Sequence, residues 1–588
     1  MNPRLLCRLV ILLATGALSM ALVTPALPQT KTYCNPLDLD YAYVNIPNLV
    51  EQGRHRATAD PVITLFKETY FLFSTNQHGY WWSKDMLAWN FVPRQFLKPY
   101  HTSFDDLCAP AVVATGDTLL VLGSTYTKDF PLWMSTHPTT DTWKEAVDSF
   151  GIPAWDPCLF IDTDNRMYLY FGSSNTYPIY GVEIDRATYR PIDEPQALLW
   201  LHDDENGWER FGEHADNVFL RPFIEGAWMT KHNGLYYLQY AAPGTEFNWY
   251  GDGVYVGQHP LGPFTYQSHN PFSSKPGGFA RGAGHGSTFQ DLWGNWWHIS
   301  TIAISVKNNF ERRLGLWPAG FDSDGILFCT TAYGDYPHYM PSQSVDSHAS
   351  LFTGWMLLNH KKPVTVSSTF GGYAPNNAVD EDIKTYWSAT SGNAGEWLTS
   401  DLGGVVTVCA VQVNNADQNA TLEGKQAGIY HAYEIAASID GKHWTTVIDK
   451  RRNAKDVPHD YCELEKPVEA RYLRITNCHV PTGKFALSGF RVFGRGHGRV
   501  PDSARHFVAL RGASERRSAW LRWEQSDDAV GYVVYFGASP DKLYSSIMIY
   551  GVNEYYITAL EKSRCYYFQI EAFNENGIGK RSTVVKVE

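Results

Sequence analysis

The chain has 588 residues, with 49 Lys and Arg against 61 Asp and Glu, a formal charge of −12 at pH 7. At 44% hydrophobic and 19% charged it is globular, which excludes global disorder. An acidic chain without a long Lys/Arg run also excludes nucleic acid as the main partner.

The first 30 residues read as a signal peptide. Arg4 and Arg8 make a positive start, residues 9–23 are an apolar run too short to span a membrane, and TPALPQT supplies small residues and prolines for cleavage. Cys7 lies before the apolar run, which argues against a lipoprotein anchor. No later stretch is long and apolar enough to span, so the expected location is secreted or periplasmic. The eight cysteines after Cys7 are scattered without C-x-x-C spacing, which supports neither a zinc site nor a dense disulfide framework.

Between about residues 33 and 350 one unit recurs five times: a short strand, a polar or Gly-containing turn, then an aromatic-rich strand. The copies are ADPVITLFKETYFLFST (59–75), APAVVATGDTLLVLGST (109–125), WDPCLFIDTDNRMYLYFGSS (155–174), EGAWMTKHNGLYYLQYA (225–241) and GHGSTFQDLWGNWWHIST (284–301). Each is followed by a further strand and turn. The many aromatic residues, 20 Trp, 35 Tyr and 30 Phe against 9 Met, suit such strands. Repeated hairpins without helical periodicity predict small antiparallel sheets set radially, a five-bladed β-propeller.

Aligned on Pro61, Pro110, Pro157, Gly226 and Gly286, the preceding residues are Asp60, Ala109, Asp156, Glu225 and His285. The first strand of each propeller blade lines the axis, so this slot would aim three carboxylates and one imidazole into one pocket. A single Asp-Pro before a strand is ordinarily a turn. Three carboxylates converging on one axis repel one another, and such a cost persists where function needs it. Paired carboxyls flanking a glycosidic bond are the usual equipment for its hydrolysis: one protonates the leaving oxygen and the other activates water. A third charge can hold the acid protonated.

These motifs resemble glycoside hydrolase family 43: ADP, WDPCLFIDTDNRMYLYFG, EGAWMTKHNGLYYL and GAGHGSTF occur in the family's order. The resemblance implies a five-bladed propeller of inverting enzymes, many of them acting on arabinose- or xylose-containing polysaccharides. It implies Asp60 as general base, Glu225 as general acid and Asp156 as the carboxylate that tunes the acid. It implies His285 as an axial ligand of a calcium ion or its waters, so a structural calcium is the one cofactor expected. Cys108 departs from the family, in which many members carry Trp. Trp155, Arg281, Arg312 and His214 are further candidates for contacting a sugar.

The repeat stops near residue 360. Residues 361–498 contain KPVTVSSTFGGYAPNNAVDEDIKTYWSATS, EWLTSDLGG, YEIAASIDGKHWTTV and EARYLRITN, which predict an antiparallel β-sandwich. Their order resembles the discoidin, or factor V/VIII type C, domain, which implies a structural calcium near Asp380 and Asp382. Residues 499–588 alternate cleanly with frequent turns and resemble a fibronectin type III sandwich. The Gly- and Arg-rich link 494–501 is expected to be flexible. The fold class expected is all-β, a propeller followed by two sandwiches. The function expected is an exo-glycosidase removing terminal sugars from plant polysaccharide, foremost α-L-arabinofuranose, with xylose, galactose or a non-catalytic carbohydrate-binding role as alternatives.

Overall fold

A computed structural model describes residues 31–45, 54–94, 96, 107–128, 130–140, 142–304 and 310–588; the signal-peptide reading of residues 1–30 lies outside them. Helical structure among the described residues is confined to turns of three or four residues. No helix among them is long and apolar enough to cross a membrane.

Five antiparallel sheets follow one another along the chain. Blade 1 comprises Val62–Phe66, Thr69–Phe73, Gly79–Ser83 and Asn90–Pro93. Blade 2 comprises Ala111–Thr115, Thr118–Leu122, Leu132–Ser135 and Lys144–Val147. Blade 3 has Cys158–Ile161, Met167–Phe171 and Ile179–Asp185, with Arg190–Pro191 and Gln196–Leu199 both pairing with the third strand. Blade 4 runs through Glu225–His232, Leu235–Ala242, Gly251–Gly257 and Phe264–Tyr266. Blade 5 runs through Arg281–Gln290, Trp296–Ala303, Arg312–Phe321 and Leu327–Cys329.

Strand alternation explains how the ring closes. Successive side chains leave opposite faces, so each second strand feeds two inter-blade cores. In blade 1, Phe71 and Phe73 meet Val112, Val121 and Trp133 of blade 2. Tyr70 and Leu72 face the other way, onto Trp297, Ile299, Leu314 and Leu316 of blade 5. Blades 2 and 3 share Leu120, Leu122, Leu159 and Leu169. Blades 3 and 4 share Tyr168, Tyr170, Met229 and Tyr240, and blades 4 and 5 share Tyr237, Val254, Ile302 and Trp317. Five cores between five sheets make a closed ring. Each fully buried apolar side chain contributes roughly 1.5–3 kcal/mol to it. The N-terminal segment reinforces the closure, because Asn35 Nδ2 donates to the Leu316 carbonyl at 2.9 Å and Thr32 pairs with Tyr339.

Residues 356–495 build a separate eight-stranded sheet around Trp397–Asn415 and His459–His479, with its own core of Trp387, Leu398, Val411, Ile435, Leu473 and Phe490. Two buried arginines join it to the propeller. Arg491 engages Glu381 at 2.9 Å and donates to the Asp335 carbonyl at 2.6 Å, and Arg56 engages Asp417 at 2.9 Å. Residues 505–587 form two further sheets, of three and five strands, whose Leu521, Trp523, Val534 and Phe568 join the core of blades 3 and 4.

The link expected to be flexible is tied down. The Gly496 amide donates to the Glu575 carbonyl at 2.8 Å and the Gly498 amide to Asn576 Oδ1 at 2.8 Å. Glycine there serves close packing, since a Cβ on Gly496 would lie 2.1 Å from Asn576 Oδ1. None of the eight described cysteines forms a disulfide.

Candidate active site

The axial slot is marked by backbone strain. Asp60, Ala109, Asp156 and His285 all adopt left-handed conformations, with φ of 55°, 41°, 50° and 46°. Side chains other than glycine's pay for that region, and such residues cluster at functional sites. In blade 4 the left-handed residue is Gly226, with φ of 64°, not Glu225. Glu225 therefore sits one residue earlier than the alignment of repeats places it, as the first residue of its strand. A register shift between Glu225 and Trp228 absorbs the offset. The reason is steric: a Cβ on Gly226 would lie 2.8 Å from Cγ of His285. The imidazole occupies the space that a blade 4 side chain would fill.

Each strained residue is held by the blade before it. The Asp60 amide donates to Thr301 Oγ1 at 2.9 Å, Ala109 to Thr75 Oγ1 at 2.8 Å, and Asp156 to Ser124 Oγ at 2.9 Å. The His285 amide donates to Asp252 Oδ1 at 2.7 Å. In blade 3, Ser173 Oγ donates to Glu225 Oε2 at 3.0 Å. Sequence reasoning missed this second repeat, although its signal is plain: four of the five repeat copies end in ST, ST, SS and ST. Blade 4 ends in Ala241-Ala242, and there Asp252 on the third strand takes over the role for His285.

The structure brings Asp60, Asp156, Glu225 and His285 together. His285 Nδ1 lies 3.1 Å from Asp60 Oδ1 and 3.7 Å from Asp156 Oδ2. Asp60 accepts the Thr75 hydroxyl at 2.6 Å and has Arg312 Nη1 at 4.0 Å, an environment that suits a carboxylate. Glu225 accepts from the Tyr250 hydroxyl at 2.7 Å. Burial, with Glu225 adding, keeps that phenol protonated and so a permanent donor.

Burial pushes the Asp156 carboxyl up to about 8; Glu225 and Asp60 push the same way, and His285 opposes them. Asp156 thus retains its proton at neutral pH. Burial works against charging His285, but Asp60, Asp156 and Glu225 outweigh it and raise its pKa above the ordinary histidine value. This revises two expectations: Asp156 is not a plain fixed charge, and His285 is drawn toward the imidazolium. His285 turns Nδ1 to carboxylates, and no group of three or more His, Cys, Asp or Glu among the described residues is placed to hold a metal ion. In the NNAVDEDIKT loop the acidic oxygens hold a turn: Asp380 accepts the Asp382 amide at 3.0 Å and the Thr385 hydroxyl at 2.7 Å.

The other candidates divide. Arg312 lies in the site, donating to Thr245 Oγ1 at 3.2 Å, while its buried Nε has no partner among the described residues. Trp155 stacks on Tyr126 beside Asp156, with ring centroids 4.2 Å apart and Tyr126 exposed. Arg281 points away, toward Asp382 at 3.7 Å and the Gly278 carbonyl at 3.2 Å. His214 is exposed, and its carbonyl accepts the Thr558 hydroxyl. Two residues that the repeats do not single out belong here. Cys108 is a neutral wall, its thiol pushed well up by burial and by Asp60 and Asp156. Glu246 is held above the usual carboxylate range by burial, with Glu225 adding and Arg312 opposing.

Thr75 both receives the Ala109 amide and donates to Asp60, so its hydroxyl positions that carboxylate. Thr75→Val is expected to lower kcat about 10- to 100-fold, the worth of one hydrogen bond to a charge, with little change in KM. Thr75→Ser should restore it. Loss of KM instead, or no rescue by serine, would contradict the positioning role.

The sequence model of glycosyl hydrolases family 43 matches residues 48–327, and that of the F5/8 type C domain matches residues 363–488. A β-xylosidase of Xylanibacter ruminicola is 30% identical over 148 residues, 21% of this chain and 43% of that protein. A β-D-galactofuranosidase of Aspergillus niger is 30% identical over 146 residues, 24% of this chain and 34% of that protein. The chain thus spans less than half the length of these curated relatives. Among solved structures, a glycoside hydrolase is 17% identical with a TM-score of 0.44, covering 77% of this chain and 99% of that one. A thermostable family-43 glycoside hydrolase is 21% identical with a TM-score of 0.40, covering 54% and 98%.

Proposed function

We propose that this chain, which carries a family 43 glycosyl hydrolase domain over residues 48–327, is an exported inverting exo-glycosidase. Its substrate on this reading is a terminal α-L-arabinofuranosyl side chain of a plant polysaccharide. The observation that carries the reading is the axial cluster, in which the strained Asp60 and Asp156 flank the His285 imidazole and Glu225 lies near it. A binding protein has no use for that electrostatic cost.

Asp60 is the base: with Thr75 donating to Oδ2 and His285 against Oδ1, it takes a proton from water as the water attacks the anomeric carbon. Glu225, oriented by Tyr250 and Ser173, gives its proton to the departing oxygen. Asp156 supports the proton supply of the cluster. Arg312, whose Nε has no partner among the described residues, offers a donor to a sugar hydroxyl.

The names of the relatives bear on the sugar. An α-L-arabinofuranosyl and a β-D-galactofuranosyl ring share their ring configuration and differ in the exocyclic chain. One compact pocket therefore discriminates between them only through that chain. A panel of p-nitrophenyl glycosides tests the reading. The α-L-arabinofuranoside is expected to have the highest kcat/KM, ahead of β-D-xyloside and β-D-galactofuranoside. Preference for either of the latter would replace arabinose, and no turnover of any would support the binding-protein alternative.

A further inference from the structure

Blade 3 leaves two aromatic rings uncovered on its edge toward blade 4. Tyr177 is 63% exposed and Trp200 is 51% exposed. Strand register brings them together. Ile179 pairs with Leu199 in the antiparallel ladder, so Tyr177, two residues before Ile179, and Trp200, one after Leu199, leave the sheet at the same end. A tight turn fixes Tyr177, because the amides of Thr176 and Tyr177 both donate to Ser174 Oγ at 3.0 Å.

The two rings line a cleft of about 310 Å³ together with Ser174, Asn175, Arg221 and Ile224. Its inner edge, Ser174 and Ile224, adjoins the catalytic cluster along the backbone. Ser174 and Ile224 exchange backbone hydrogen bonds at 3.1 and 3.0 Å, and their chain neighbours Ser173 and Glu225 are themselves hydrogen-bonded. The cleft begins one residue from the carboxyl assigned as the acid.

A general acid faces the departing oxygen, so a cleft at its shoulder meets the leaving group. Single exposed rings are ordinary. Two that converge on a cleft edged by an amide, a hydroxyl and a guanidinium fit a sugar, whose C–H faces lie on rings while its hydroxyls reach the polar edge. The leaving group of a side-chain glycosidase is the polysaccharide main chain.

We propose that Tyr177, Trp200 and Arg221 form a leaving-group subsite that holds main-chain sugars while the terminal sugar lies among Asp60, Asp156 and Glu225. This rests on the glycosidase reading above and names the part of the substrate bound outside the catalytic cluster.

The test compares Tyr177→Ala, Trp200→Ala and the double variant on p-nitrophenyl α-L-arabinofuranoside, which lacks a main chain, and on soluble arabinoxylan. Aryl-glycoside turnover should stay within about twofold of wild type. On arabinoxylan kcat/KM should fall about 3- to 10-fold for each ring, mainly through KM, as expected for loss of one stacking contact. An unchanged arabinoxylan kcat/KM, or equal losses on both substrates, would overturn the subsite. Electrophoretic retardation in gels containing arabinoxylan measures the same contact without turnover. Retardation of the wild type that the double variant loses supports the subsite; retardation absent, or unchanged in the variant, overturns it. Failure of the wild type to cleave any aryl glycoside would instead count against the glycosidase reading, with the gel still reporting on the cleft.

Discussion

Glu225→Gln is expected to lower kcat on arabinoxylan by about 10²- to 10⁴-fold, the usual contribution of a positioned proton donor. The amide keeps the shape of the side chain and can still accept from Tyr250, but it carries no proton to give. A sugar hydroxyl is a poor leaving group and needs that proton in the transition state. Nitrophenolate departs without it, so p-nitrophenyl glycosides should lose far less. Equal losses on both substrates would contradict Glu225 as the acid, because a merely structural defect does not distinguish leaving groups.

Asp156→Asn is expected to move the alkaline limb of the kcat/KM profile to lower pH and to raise stability at the same time. Burial, with Glu225 and Asp60 adding and His285 opposing, holds a proton on Asp156 up to about pH 8. Asparagine carries no charge at any pH, so the repulsion that an ionised Asp156 exerts on its neighbours is lost. The stability sign follows from linkage. The folded protein binds a proton at Asp156 that the unfolded chain releases near 3.8, so stability falls as pH rises from about 4 toward 8. The raised pKa of His285 acts in the same direction, its contribution fading as pH rises through the folded value. Asparagine abolishes the Asp156 part of that penalty. The gain in Tm over wild type should therefore be larger at pH 8 than at pH 5. A Tm gain independent of pH, or an alkaline limb left in place, would contradict the account.

The propeller was legible because its cause is repetitive. Each blade needs the same alternation of apolar residues on its second strand, as in TYFLF and TLLVL, and five copies leave a visible period. Asp60, Asp156 and His285 were legible for the same reason, each preceding a turn-like residue in a repeated frame. The exact place of Glu225 was not. Its offset depends on Gly226 making room for an imidazole contributed by blade 5, a contact between residues 226 and 285 that no local pattern encodes. The hydroxyl ring of Thr75, Ser124, Ser173 and Thr301 was written in the repeats, but ST after a strand reads equally well as a turn. Arg281 and Arg312 are alike as sequence; only the fold sends one to Asp382 and the other to Asp60. The link 494–501 reads as flexible by composition, and its glycines instead allow the third unit to pack against it.

The central claim is that Asp60 activates water on the face of the sugar opposite Glu225. Proton NMR of the first sugar released from an α-L-arabinofuranoside, recorded before mutarotation, tests it most directly. The β-anomer, with inverted configuration, is the result expected. Release of the α-anomer would require a covalent intermediate on one of these carboxylates and would contradict the assignment of Asp60 as a base.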